Sequence, residues 1–436
     1  MLGRFTAIFL AAFFFAAAAR SQNFSSILGD VDVPPSDISQ KYPFGMTWRT
    51  PPPIFKIDKS VRAMRYMPRV RMFQQVPSIE ISNGGRLWAA YMCSNVTVAR
   101  DPYHYEQYII VATSADGGRT WREVYAIDPL AEGSGTASDS ILWKDSRGTI
   151  RLAFIRNFDV YAERDKIVAA SWEISMSDPE SEDCKWGKPR LIGRVNVCPQ
   201  KPLDMDDGTI LRPADNFWNF KDPDRIRFMR ETLDGKVLFI SSLRCDGASF
   251  AESSPIRLPD SSIQAQVRMS NSTQSIYNSA DGGKTWKFSG MMNPPVAIST
   301  RCCFYNLKSG RILLVANDVG ADSKDWKVRR SKLTAFMSDD GGKSYPHKLL
   351  LDERHQATYP SIAQGADGAI YVAYDRGRQA PNAQEILFAK FTEADVLAGK
   401  IVSKDSRLKR TICRLSDFGG GVRESDRLEK VVEPNW

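Results

Sequence analysis

An all-β fold, a six-bladed β-propeller, is what this sequence predicts. Two recurrences along the chain, and the want of any amphipathic helical run between them, carry the prediction. The first recurrence is a turn: Ser114-Ala-Asp116-Gly-Gly-Arg-Thr-Trp121, Ser279-Ala-Asp281-Gly-Gly-Lys-Thr-Trp286 and Ser338-Asp-Asp340-Gly-Gly-Lys-Ser-Tyr345. A strand-like run precedes each copy and an aromatic ends it, as a β-hairpin needs when Asp and Gly make the turn and a ring packs beneath it. The second recurrence is a glycine turn opening an apolar strand, at Gly85, Gly148, Gly208, Gly310 and Gly368. Its intervals of 63, 60 and 58 residues set the period, and the 102 residues from Gly208 to Gly310 fit two shorter units, which makes six.

Taken in order, the first element is an apolar run from Thr6 to Ala19 behind Arg4. It is too short to span a bilayer and has the shape of a secretory signal peptide, so residues 1–19 are read as removed and the protein as secreted or periplasmic, with no membrane span in the mature chain. Residues 20–60 form a Pro-rich leader, with Pro34, Pro35 and Pro51 to Pro53. Residues 61–436 are read as one propeller domain with a polar C-terminal tail that could return to complete the last blade. In the first and fifth units the Ser-x-Asp turn follows the glycine turn by 29 and 28 residues, so each unit reads as four strands with turns at fixed places. The stretch from Arg244 to Met269 reads as a long loop and Gly235 fits either of two turns, which leaves the fourth blade unplaced.

The chain has 436 residues, 42% of them hydrophobic and 25% charged, and carries a formal charge of +8 without a dense basic run. That points away from nucleic acid and toward a small anionic ligand, taken by a monomer. Export favours disulfides, and Cys184 with Cys198 is the first pairing to expect among seven cysteines. No His/Cys/Asp grouping argues for a metal, and no cofactor is called for. His104, one of three histidines, reads as a surface loop residue.

The Ser-x-Asp-x-Gly turn is the Asp-box. Together with Pro77-Ser-Ile and Tyr359-Pro-Ser-Ile it resembles the Asp-box (BNR repeat) sialidase-like superfamily, across nearly the whole mature chain, as a divergent branch. The resemblance implies a site with three arginines on a substrate carboxylate, a tyrosine nucleophile paired with a glutamate, and an aspartate acid/base. Arg330 matches the third arginine strand and Tyr359 the nucleophile, while Asp101 fits the acid/base by its place in a first-blade loop. Two positions depart: Gln75 stands where the first arginine is expected, and Lys201 where the glutamate is expected.

Independently, the residues 7 to 10 positions before the glycine turns should surround the axis, and they are Gln75, Asp139, Lys201, Arg301 and Tyr359. Arg301 and Arg330 rank first as anion ligands, because a planar guanidinium suits a carboxylate better than an ammonium does. Lys201, Gln75, Asp139 and Arg212 complete the expected binding set. Tyr359 needs a carboxylate beside it, for which Glu385 is nominated and Asp139 is the second choice. The box aspartates Asp116, Asp281 and Asp340 are read as structural. The sequence thus implies a secreted glycosidase acting on a terminal acidic sugar of a glycan. The alternatives are a non-catalytic acidic-glycan-binding propeller, or a hydrolase or lyase for uronic-acid polysaccharides.

Overall fold

The computed structural model describes residues 51–58, 62–95, 107–129, 135–157, 169–193, 200–215, 224–245, 248–270, 273–293, 296, 300–320, 326–378 and 384–418. Its strands fall into six antiparallel sheets, each contiguous in sequence, and the first strands of neighbouring sheets lie against one another around one axis. These innermost strands are Phe73–Ile81, Thr136–Lys144, Leu203–Asp204, Ala248–Arg257, Cys303–Asn306 and Ala357–Gln364. The fold is the six-bladed propeller that the spacing predicts.

The core is a set of apolar seams between blades. Ile141, Ala153 and Ile192 of blade two meet Ala214 and Met229 of blade three; Leu211 and Phe228 of blade three meet Ala265 and Val267 of blade four. Ile79 and Leu87 close the ring against Ala363 and Tyr371. Alternate residues of each strand are thereby covered on both faces, which is why the inner strands are buried along their length.

All three Asp-boxes stand on the turn between third and fourth strands, in blades one, four and five. In each, the Ser hydroxyl donates to the Asp carboxylate and accepts the N–H of the second Gly, at 2.7 and 2.9 Å in the Ser114 box. Ser344 donates to Asp340 from hydroxyl and backbone, and these bonds pull that carboxyl down to about 2. The box aromatics reach beyond their own turn. Trp121 sits edge-on to Phe388 of blade six, and Trp286 lies 4.4 Å from the Phe228 ring of blade three. Each box therefore seals its blade against the one before it.

Two expectations are corrected here and one open choice is decided. The stretch from Arg244 to Met269 is not a loop: it carries the first two strands of blade four, Ala248–Arg257 and Ile263–Met269. Their turn, Pro259-Asp260-Ser261-Ser262, makes the same backbone bonds as the glycine turns, with Ser261 at φ 66° in the glycine's place. Gly235 marks the turn between the third and fourth strands of blade three. Blade six has its four strands within residues 357–414, and the tail beyond residue 418 lies outside the described residues; the leader adds a strand, Ile54–Lys56, to the outer edge of blade one. Cys184 is a buried thiol, as are the five other described cysteines, and Cys198 lies outside the described residues.

Candidate active site

In blades one, two and six the innermost strand bulges at the same register step: Gln75 to Ser78, Ser138 to Ile141 and Thr358 to Ser361. One residue in each bulge takes a left-handed conformation, Val76 at φ 50°, Asp139 at φ 42° and Tyr359 at φ 55°. Such backbone costs about 1–3 kcal/mol per residue and re-aims the side chain out of the pleat. All three stand nine residues before the turn that ends their strand. The same count gives Arg301 in blade five and, from Ser261, Glu252 in blade four.

These residues converge on Tyr359. Its hydroxyl lies 3.4 Å from Glu252 Oε1 and accepts from Arg268 Nη1 at 3.4 Å, while Arg268 Nη1 donates to Glu252 Oε2 at 2.8 Å. Three more guanidiniums surround the ring: Arg378 at 4.0 Å from its centroid, Arg301 at 5.3 Å and Arg330 at 5.9 Å. Arg378 donates to Asp375 at 2.5 Å. Burial, and then the nearby Arg378 and Arg268, lower the Arg330 guanidinium to about 10, the sign of a crowded positive site. Burial also opposes the charge of Arg268, yet Glu252 holds it above its ordinary value. Asp139 is pushed up to about 6 by burial, with Arg301 and Arg378 pulling down and Glu252 pushing up. Behind Glu252 lies a cavity of about 10 Å³, bordered by Gln200, Gln266, Arg268 and Arg301, with room for one water.

Of the expected residues, Tyr359, Arg301, Arg330 and Asp139 come together. Gln75, buried in the strand of blade one, directly precedes the left-handed Val76. Three nominations are corrected. Glu385 spends its oxygens on Arg376, Arg354 and Arg414 at 2.7, 3.3 and 2.6 Å, and the carboxylate beside Tyr359 is Glu252. Lys201 is held by Glu80 at 2.6 Å and the Ile79 carbonyl at 2.9 Å, closing blade three onto blade one. Arg212 is buried between Glu231 and Glu173 at 2.6 and 2.8 Å and lies over Trp143, where it joins blades two and three. Asp101 and His104 lie outside the described residues. Glu252, Arg268 and Arg378 are the members that the sequence reading did not name. Among the described residues no three His, Cys, Asp or Glu side chains are grouped to hold a metal ion, and no helix is long and apolar enough to cross a membrane.

A family model described as a BNR repeat-like domain matches residues 137–372, more than half of the chain. The chain belongs to the BNR repeat-like family. The matched segment of this BNR protein holds Asp139, Glu252, Arg268, Arg301, Arg330 and Tyr359, and stops short of Arg378. Among solved structures, a protein of unknown function from Dyadobacter fermentans is 16% identical over 77% of this chain and 96% of its own, with a TM-score of 0.55. A Hadza microbial sialidase is 18% identical over 70% of this chain and 64% of its own, at 0.56. A leech intramolecular trans-sialidase, complexed with 2,7-anhydro-Neu5Ac, is 13% identical over 76% and 69%, also at 0.56. These likenesses establish the shared fold. No curated protein matches the chain.

Proposed function

We propose that this protein is an exported sialidase-like glycoside hydrolase that releases a terminal acidic sugar, sialic acid first, from a glycan. The observation that supports it most is the Tyr359 hydroxyl between a carboxylate and a guanidinium, inside a ring of four arginines. A neutral phenol suits attack on an anionic sugar, which would repel a carboxylate nucleophile. In this reading Arg268, Arg301 and Arg330 take the sugar carboxylate. Tyr359 Oη bonds to the anomeric carbon as the bond to the leaving oxygen breaks, and Glu252 receives the phenol proton. Asp101 protonates the leaving oxygen and then takes a proton from the water that cleaves the sugar–tyrosine bond, while Glu252 returns its proton to Tyr359. Gln75 stands at the first-arginine position of the family, and Arg378 brings a guanidinium from blade six, the neighbour of blade one. Export rests on the apolar segment at Thr6 to Ala19.

Purified protein incubated with sialylated and uronate-containing glycans should release sialic acid. Tyr359→Phe should lower turnover at least about a hundredfold while the product sugar still binds, because the change deletes the bond-forming atom and spares the arginines. Full activity in Tyr359→Phe rules out the covalent route. Binding without turnover in the wild type moves the reading to a glycan-binding propeller, and release of uronate alone moves it to the uronic-acid polysaccharides.

A further inference from the structure

The axial residues are held from outside their own blades. Seven residues after the turn that starts each second strand stand Asp215, Asn317 and Asp375, in blades three, five and six. Asp215, fully buried, accepts the Arg227 N–H of its own blade at 2.9 Å; from blade four it accepts the Ser253 N–H at 3.2 Å and the Ser253 hydroxyl at 3.0 Å. Ser253 follows Glu252. Asn317, also buried, donates Nδ2 to the Ser331 carbonyl in its own blade and to the Ala357 carbonyl in blade six, both at 2.9 Å, two residues before Tyr359. Asp375 accepts the N–H of the left-handed Val76 in blade one at 2.8 Å, and also the guanidinium of Arg378 that covers the Tyr359 ring. In blade four the same register position is occupied by Arg268, a member of the site itself.

We infer that Asp215, Asn317 and Asp375 are positioning residues, each holding the strand of the next blade where an axial residue leaves the pleat. The inference rests on the reading that Glu252 and Tyr359 carry the chemistry. The bonding asks for it: a bulge strips ladder bonds from the inner strand at the very residue that must be aimed, and a buried side chain from the neighbour replaces them. Burial pushes Asp215 up to about 7, so the ring accepts a costly buried carboxyl where an amide would leave one donor without an acceptor.

Asp215→Asn separates the two halves of the contact. The amide oxygen keeps Arg227, the amide nitrogen turns to the Ser253 hydroxyl, and the Ser253 N–H is released. Turnover should fall about tenfold to a hundredfold with KM within about threefold, because Glu252 is displaced from Tyr359 while the arginines stay. Hydrogen exchange should rise in the peptide containing residues 248–257 and nowhere else. Asp395→Asn, the same change in a buried carboxylate that binds Thr392, Val402, Ser403 and Ser406 away from the axis, should leave turnover and that peptide unchanged. Ser253→Ala, which removes one donor only, should show a smaller loss and serves if Asp215→Asn does not fold. Unchanged turnover in a variant whose peptide exchanges faster overturns the positioning role. If the wild type turns over no glycan, the functional reading falls, and unchanged exchange at 248–257 in Asp215→Asn then overturns the ring on its own.

Discussion

Asp139 shows how a single residue ties the mouth to pH. Its carboxyl, pushed up to about 6 chiefly by burial, faces Arg301 and Arg378 on one side of its balance and Glu252 on the other. As pH falls through 6 it takes up a proton, and the mouth loses a negative charge beside its guanidiniums. An anionic sugar should therefore bind up to about tenfold more tightly at pH 5 than at pH 7, the equivalent of one unit of pKa coupling. Asp139→Asn should bind with nearly constant affinity across that range, which titration calorimetry at the two pH values would show. The sign for stability runs the same way. A folded value above the unfolded one stabilises the protein in acid, and that contribution is lost as pH rises through about 6.

At the scale of strands and turns, most of the fold could be read from glycine spacing because the turn between first and second strands makes one demand, a left-handed residue. A Cβ built on Gly85, Gly208, Gly310 or Gly368 meets nothing within 4 Å, so conformation alone selects glycine there. For the same reason Ser261 can stand in exposed space at φ 66°, and the fourth unit escapes a search for glycine. The serine there also hides two members of the site: counted from Ser261, Glu252 falls nine residues before and Arg268 seven after. Lys201 precedes a true turn, Gly208, by seven residues, but the first strand of blade three is only Leu203–Asp204, and the ninth position before that turn, Pro199, lies outside the described residues. Arg378 sits beyond the strand Ile370–Arg376, where no repeat points. Ser261→Gly should stabilise the protein by about 0.5–1 kcal/mol. Relief of left-handed strain, about 1–2 kcal/mol, outweighs the larger freedom of glycine in the unfolded chain, about 0.5–1 kcal/mol. Urea denaturation should show a higher midpoint at unchanged slope.

The molecule as a whole must protect six outer sheet edges, and it treats them unequally. Blade one is covered by Ile54–Lys56, and the helix Glu393–Ala398, capped by Thr392 and Asp395, packs on the outer strand of blade five. Blade six ends in Arg407–Arg414, whose Arg407, Lys409, Arg410 and Arg414 resist pairing with another chain. The outer strands of neighbouring blades three and four, Val237–Leu243 and Lys287–Met291, instead expose Leu238, Phe288 and Met291 by 44, 55 and 44%. Phe288 meets the edge of Tyr277 at 5.5 Å, and more than half of its surface stays open. Exposed apolar side chains on neighbouring edge strands, with Lys287 the one charge on the second of them, favour contact between copies as concentration rises. Phe288→Lys should raise the concentration at which association begins, read by light scattering. Thermal stability should stay within about 0.5 kcal/mol, since the position is exposed and a strand lysine keeps its alkyl stem on Tyr277. Association that is unchanged in Phe288→Lys would place the self-contact elsewhere on the surface. The mouth, on the axis and away from these edges, should keep its full turnover in the same variant.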